Sequence, residues 1–161
     1  LYDETNNISS AVAAVEAHPH CFEQAYAFES DLYLTDPSYI SKYQYQSNYL
    51  GFHVNETRDW YFEADEEGRI TKLAKDLGRD CWQMVGLSFW SAADGRRLAR
   101  DLPAVFEATD DNHQIFWDDV PCRVCADSYD VHVRACDPSH IIEIDSFAEL
   151  QEVDPSYRPR G

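Results

Sequence analysis

Apolar side chains recur at Ile8, Val12 and Val15, the spacing of one helical face, and predict a helix over residues 8–17. Asn6 or Asn7 can cap its start. His18-Pro19 ends it, because a proline drives the residue before it out of the α conformation. Residues 21–28 read as a strand, and Pro37 opens a short helix to about residue 43. The middle of the chain is strand-rich. Residues 48–54 and 60–63 are apolar or aromatic, and the polar segment 55–59 is expected to join them as a hairpin loop. Asp65-Glu66-Glu67-Gly68 predicts a turn, after which 70–73 returns as a strand.

The longest apolar run, residues 82–90, reads as a central strand. Ser91 caps the next helix, with Asp94 at the third position, close to a capping box. That helix should run to residue 108, with Pro103 kinking or splitting it. After a loop at Asp110-Asp111-Asn112, residues 115–119 predict an aromatic strand end, 120–126 a helix, and 129–135 and 141–144 strands. Ser146 and Glu149 form a capping box for a last helix over 147–153, and the tail from Pro155 is expected to be loose. These elements make an α/β sheet with an inserted antiparallel hairpin, one domain over residues 1–161.

Charge narrows the partners. Thirty acidic residues face thirteen basic ones, for a formal charge of −17. Such a field repels nucleic acid and anionic membranes. No apolar stretch approaches the roughly 20 residues of a membrane helix, and no signal peptide is visible, so a soluble, cytoplasmic protein is expected. The five cysteines suggest no disulfide framework. Cys122 and Cys125, with His132, Cys136 and His140 after them, could suggest zinc, but a single CxxC without a second pair favours buried thiols.

Candidate chemistry lies at strand ends. Asp31 follows a strand directly, and ligands of open α/β sheets gather at the carboxyl ends of strands. Asp118 and Asp119 follow the second aromatic run. Carboxylates brought together from separate strand ends make a hard-oxygen site suited to Mg2+, although Asp118 could equally cap the helix after it. Trp60, Trp90 and Trp117 are candidates for a pocket wall that holds an ammonium through its ring faces, whereas Phe89 and Phe116 read as core. Glu143 and Asp145 pair two further carboxylates, either supporting the site or binding an amine, or merely leading into the last helix. No nucleophile elbow, HExxH or phosphate-cradling glycine loop is present.

In order along the chain stand YDETNN (residues 2–7), FESDLYL (28–34), VGLSFWSAADG (85–95), FWDDV (116–120) and IEIDSFAEL (142–150). This series resembles the bacterial CTP:phosphocholine cytidylyltransferases of the lipopolysaccharide-choline type, within the sugar-phosphate nucleotidyltransferase superfamily. The resemblance implies a Rossmann-like α/β fold, magnesium on Asp31 and Asp118, and a choline wall at Trp60 and, less directly, Trp90 and Trp117. It also implies transfer of CMP from CTP to a small phosphorylated alcohol or amine such as phosphocholine, serving cell-envelope decoration. The glycine-rich nucleotide loop with which that family opens is absent from this sequence. The chain is therefore expected to be N-terminally incomplete, by about seventy residues on ordinary domain sizes, and as given to have little activity. A sugar-1-phosphate nucleotidyltransferase and a non-catalytic cation-binding or interaction domain stand as alternatives, and a homodimer is left open.

Overall fold

The computed structural model describes residues 4–158. Helix α1 (Ile8–Ala17) buries Ile8, Ala11, Val12 and Val15, the face its apolar spacing predicts. Strands β1 (Ala25–Phe28) and β2 (Leu32–Leu34) follow. Then come β3 (Asn48–Thr57), β4 (Tyr61–Ala64), β5 (Ile70–Ala74) and the long β6 (Gly78–Trp90). Helix α2 (Ala92–Ala108), β7 (His132–Ala135), β8 (Ile141–Glu143) and α3 (Phe147–Val153) complete the order.

The main sheet has six strands in the order β5-β4-β6-β3-β7, with β1 also on β6, while β2 and β8 form a separate two-stranded sheet. Among the described residues only β3 and β7 pair in parallel. Because β3 runs along one edge of β6, β1 and β4 must share the other edge. β1 pairs with residues from Leu87 to Trp90, and β4 with Trp82 and Gln83. The edge between them, Met84 to Gly86, therefore faces the end of one strand and the start of the next. That interruption builds the candidate site. Apolar cores fill both faces of the sheet. Ile8, Tyr49, Trp90, Leu98 and Val120 pack on the side of α1 and α2, and Leu50, Val85 and Leu87 on the other.

The mixed α/β architecture agrees with the sequence reading, and several details differ from it. β3 and β4 are not a hairpin, because β6 lies between them. The true hairpin is β4–β5, closed where Asp65 Oδ1 accepts from the amides of Glu67 (3.0 Å) and Arg69 (2.9 Å) and Gly68 takes φ +82°. Residues 21–24 form a turn, with Gln24 at φ +51°, so the strand begins only at Ala25. Neither Asn6 nor Asn7 caps α1 with its side chain. Asn6 Oδ1 accepts from the amide of Asn7, and Asn7 Oδ1 instead accepts from that of Trp117 at 2.9 Å. Pro103 sits within α2 without dividing it. Only residues 37–39 of the expected helix at Pro37 form, as one 3-10 turn. Residues 117–118 are a turn, not a strand end, leading into a π-helical turn at Val120–Val124. The tail makes a 3-10 turn at Pro155–Tyr157, while residues 159–161, like residues 2–3 of YDETNN, lie outside the described part. Among the described residues no helix is long and apolar enough to cross a membrane.

Candidate active site

Where β1 leaves β6, the amide of Glu29 still donates to the Gly86 carbonyl at 2.9 Å, and where β4 approaches, that of Met84 donates to the Trp60 carbonyl at 2.8 Å. Between these two contacts opens a cavity of about 220 Å³ bordered by Glu29, Asp59, Trp60, Gly86 and Glu143. A second, larger cleft of about 520 Å³ shares Glu29 and Gly86 with it and reaches Asp31, Tyr49, Trp117 and Asp118. Glu29 and Gly86 thus border both.

Strand pairing sets the acidic group at the mouth. β2 lies antiparallel to β8 with Leu32 opposite Glu143, and the amide of Ile144 donates to the Asp31 carbonyl at 2.9 Å. This register brings one carboxylate oxygen each of Asp31, Glu143 and Asp145 within 4.8 Å of one another, all exposed. Partial burial, then Asp145, Asp59 and Asp31, push the Glu143 carboxyl above its ordinary range. None of the three carboxylates has a hydrogen bond or ion pair to offset the crowding among the described residues. Three hard anionic oxygens this close together are a donor set that fits magnesium, with water and phosphate completing the shell.

Asp118 and Asp119 part company at the turn that carries them. Asp119 is buried and fully employed: its carboxylate accepts from the Phe116 amide at 3.0 Å and from Arg123 Nε at 2.7 Å. It stabilises the turn and faces neither cavity. Asp118 is buried too, yet it borders the larger cleft together with Asp31. The Tyr49 hydroxyl donates to its Oδ1. Burial pushes the Asp118 carboxyl up to about 7, against the opposing pull of that hydrogen bond. The structure thus groups Asp31 with Glu143 and Asp145 as near neighbours, and leaves Asp118 outside that group, on the cleft it shares with Asp31.

The tryptophans also divide. Trp60 is half-buried at the smaller cavity, edge-on to Phe116 (centroids 5.0 Å apart) and with Lys75 Nζ 5.1 Å from its ring centre. Trp117 borders the larger cleft against Phe22 and Trp90. Trp90 is 0% exposed, its Nε1 donating to Ser88 Oγ at 3.0 Å, so it is core and forms no wall. Trp90→Phe should therefore cost about 2 kcal/mol of stability through the cavity and the lost hydrogen bond. Chemical denaturation would read this, and acceptor affinity should not change.

Sequence reasoning gave no role to Glu29 and Gly86, although they lie inside the segments FESDLYL and VGLSFWSAADG, and it missed Asp59, which no short motif marks. Among the described residues the cysteines form no metal-compatible group. Cys122 is buried with its thiol pushed up, Cys136 packs in the opposite core cluster, and the acidic triad is the one metal-compatible group among the described residues.

The fold is shared with nucleotidyltransferases of solved structure. The chain superposes on the CTP:phosphocholine cytidylyltransferase of Streptococcus pneumoniae with a TM-score of 0.77, over 98% of this chain and 66% of that one, at 18% identity. It superposes on the inositol-1-phosphate CTP transferase of T. maritima with a TM-score of 0.60, over 96% and 60% of the two chains, at 16% identity. In sequence it is 38% identical, over 159 residues, to the 2-aminoethylphosphonate cytidylyltransferase of Lancefieldella rimae, which is 97% of this chain and 62% of that protein. The chain thus spans less than two thirds of that relative's length. No family model matches it.

Proposed function

We propose that the protein carrying this chain is a cytidylyltransferase that moves CMP from CTP onto a small phosphorylated or phosphonylated amine or alcohol. The observation that carries this reading is the 38% identity to a cytidylyltransferase over nearly the whole chain. The unpartnered acidic triad beside a small cavity supports it. A phosphate or phosphonate oxygen attacks the α-phosphorus of CTP, a P–O bond forms, and the bond to pyrophosphate breaks. No protein nucleophile is needed, because positioning and charge compensation suffice.

Asp31, Glu143 and Asp145 would hold magnesium. When bound, the ion would supply the charge compensation that a triphosphate needs beside a chain of net charge −17. This set keeps Asp31 from the sequence reading and replaces Asp118 and Asp119 with Glu143 and Asp145, which the geometry groups with it. Asp118, oriented by Tyr49, and Trp117 face the larger cleft, and Trp60 walls the smaller one. The acidic, aromatic lining of the smaller cavity favours an amine-bearing acceptor over a sugar 1-phosphate, whose hydroxyls want more neutral hydrogen-bonding groups.

The test is pyrophosphate release from CTP by the full-length protein with magnesium, offering 2-aminoethylphosphonate, phosphocholine or glucose 1-phosphate as acceptor. Release is expected with an amine acceptor and not with the sugar phosphate. Release with none of them, or with the sugar phosphate alone, would overturn the proposal.

A further inference from the structure

We infer that the smaller cavity reads a primary ammonium, and that Glu29, lying over Gly86, is the residue that sets this preference over a quaternary one. The inference rests on the cytidylyltransferase reading and deepens it by naming the acceptor's chemical class.

The cavity sorts its walls by what each can offer a cation. Glu29, Asp59 and Glu143 present carboxylates, whereas aromatic surface comes from Trp60 and Phe52. Trp60 already has Phe116 at its side and the Lys75 ammonium over its ring. A quaternary ammonium carries no N–H and is best held by several aromatic faces. A primary ammonium has three donors and needs acceptors around it. Three carboxylates against one phenyl ring and one partly engaged indole favour the second. The volume of about 220 Å³ admits either head group, so the choice between them falls to the chemistry of the walls.

Glu29 is the member with the clearest structural reason to be there. A Cβ at residue 86 would stand 1.8 Å from Glu29 Oε2 and 2.1 Å from its Cδ, so the carboxylate occupies the space that any other residue at 86 would fill. The backbone hydrogen bond from Glu29 to Gly86 fixes the approach. Among the described residues, nothing hydrogen-bonds or ion-pairs with the Glu29 carboxylate, and its charged neighbours Asp31, Glu143 and Asp59 are all acidic. A carboxylate held among like charges is stabilised by an arriving cation. Glu143 belongs both to this cavity and to the acidic triad, so one short molecule can present an ammonium to the cavity and its phosphonate toward the triad.

The experiment measures binding of 2-aminoethylphosphonate and of phosphocholine to the full-length protein by calorimetry in magnesium buffer, alongside pyrophosphate release from CTP. The wild type should bind the primary amine at least about 10-fold more tightly. Glu29→Gln should weaken that ligand by about 10–100-fold, the scale of one charge-assisted hydrogen bond, and phosphocholine by far less. Gly86→Ala keeps the carboxylate but pushes it aside and should reproduce the selective loss, with a melting curve confirming that it folds. A wild type that prefers phosphocholine, or a Glu29→Gln change that weakens both ligands equally or neither, overturns the inference. Absence of pyrophosphate with either acceptor sinks cytidylyl transfer itself, whereas the binding ratio alone decides the role of Glu29.

Discussion

Asp31→Asn should lower kcat/KM of the full-length protein by about 100–1000-fold, the scale on which loss of one preorganised electrostatic group acts. The side chain is exposed, makes no hydrogen bond or ion pair among the described residues, and sits beside Glu143 and Asp145. Neutralising it removes repulsion and costs no packing, so the melting temperature should stay level or rise slightly. Calorimetry with magnesium separates the two ligand sets that the chain has suggested. Affinity for the ion should fall steeply in Asp31→Asn and Glu143→Gln and persist in Asp118→Asn. Loss of magnesium affinity in Asp118→Asn, with retention in Glu143→Gln, would return the metal to the pair suggested by resemblance.

What the sequence made legible was local. The limits of α1 and α3 follow from helical spacing and from Ser146 with Glu149, whose capping box forms as read. Ser91 accepts from the amide of Asp94, as its position predicts. These contacts lie within four residues and need no tertiary knowledge. Pairing order was not legible. Two apolar runs flanking a polar loop looked like a hairpin, yet β6, which comes later in the chain, takes the place between them.

The site divided in the same way. The aspartates of FWDD look alike in sequence, but Arg123, one helical turn onward, draws Asp119 into an ion pair while Asp118 meets the distant Tyr49. Trp90 was singled out because an indole N–H needs a partner. Its partner, Ser88, lies on the same strand, so complete burial carries no unmet hydrogen bond. Glu29 and Gly86 acquire their meaning only when β1 leaves β6, a contact between distant residues that spacing does not encode.

Asp118 carries the strongest expected coupling between stability and chemistry. Its carboxyl stands at about 7 against an ordinary 3.8, chiefly through burial, with the Tyr49 hydrogen bond pulling the other way and Glu29 and Asp119 adding repulsion. The folded state therefore holds this proton more tightly than the unfolded chain. Between pH 4 and 7 the native protein binds more protons, so stability falls as pH rises through that window. Below pH 4 the group is neutral in both states and costs nothing. Above pH 7 the full penalty of an ionised buried carboxylate applies, at most about 4 kcal/mol. Asp118→Asn keeps a carbonyl to accept from Tyr49 and carries no charge. It should raise the melting temperature by several degrees at pH 8, at about 2–4 °C per kcal/mol for a chain of this size. The gain should shrink steadily and vanish near pH 4. Thermal melts at pH 8, 6 and 4 check this, and a gain that does not depend on pH would assign it to packing rather than to charge. On the proposed reading Asp118 acts at the cleft, so the same variant should also lose turnover in the pyrophosphate assay, and unchanged turnover would leave its carboxylate without a part in the proposed reaction.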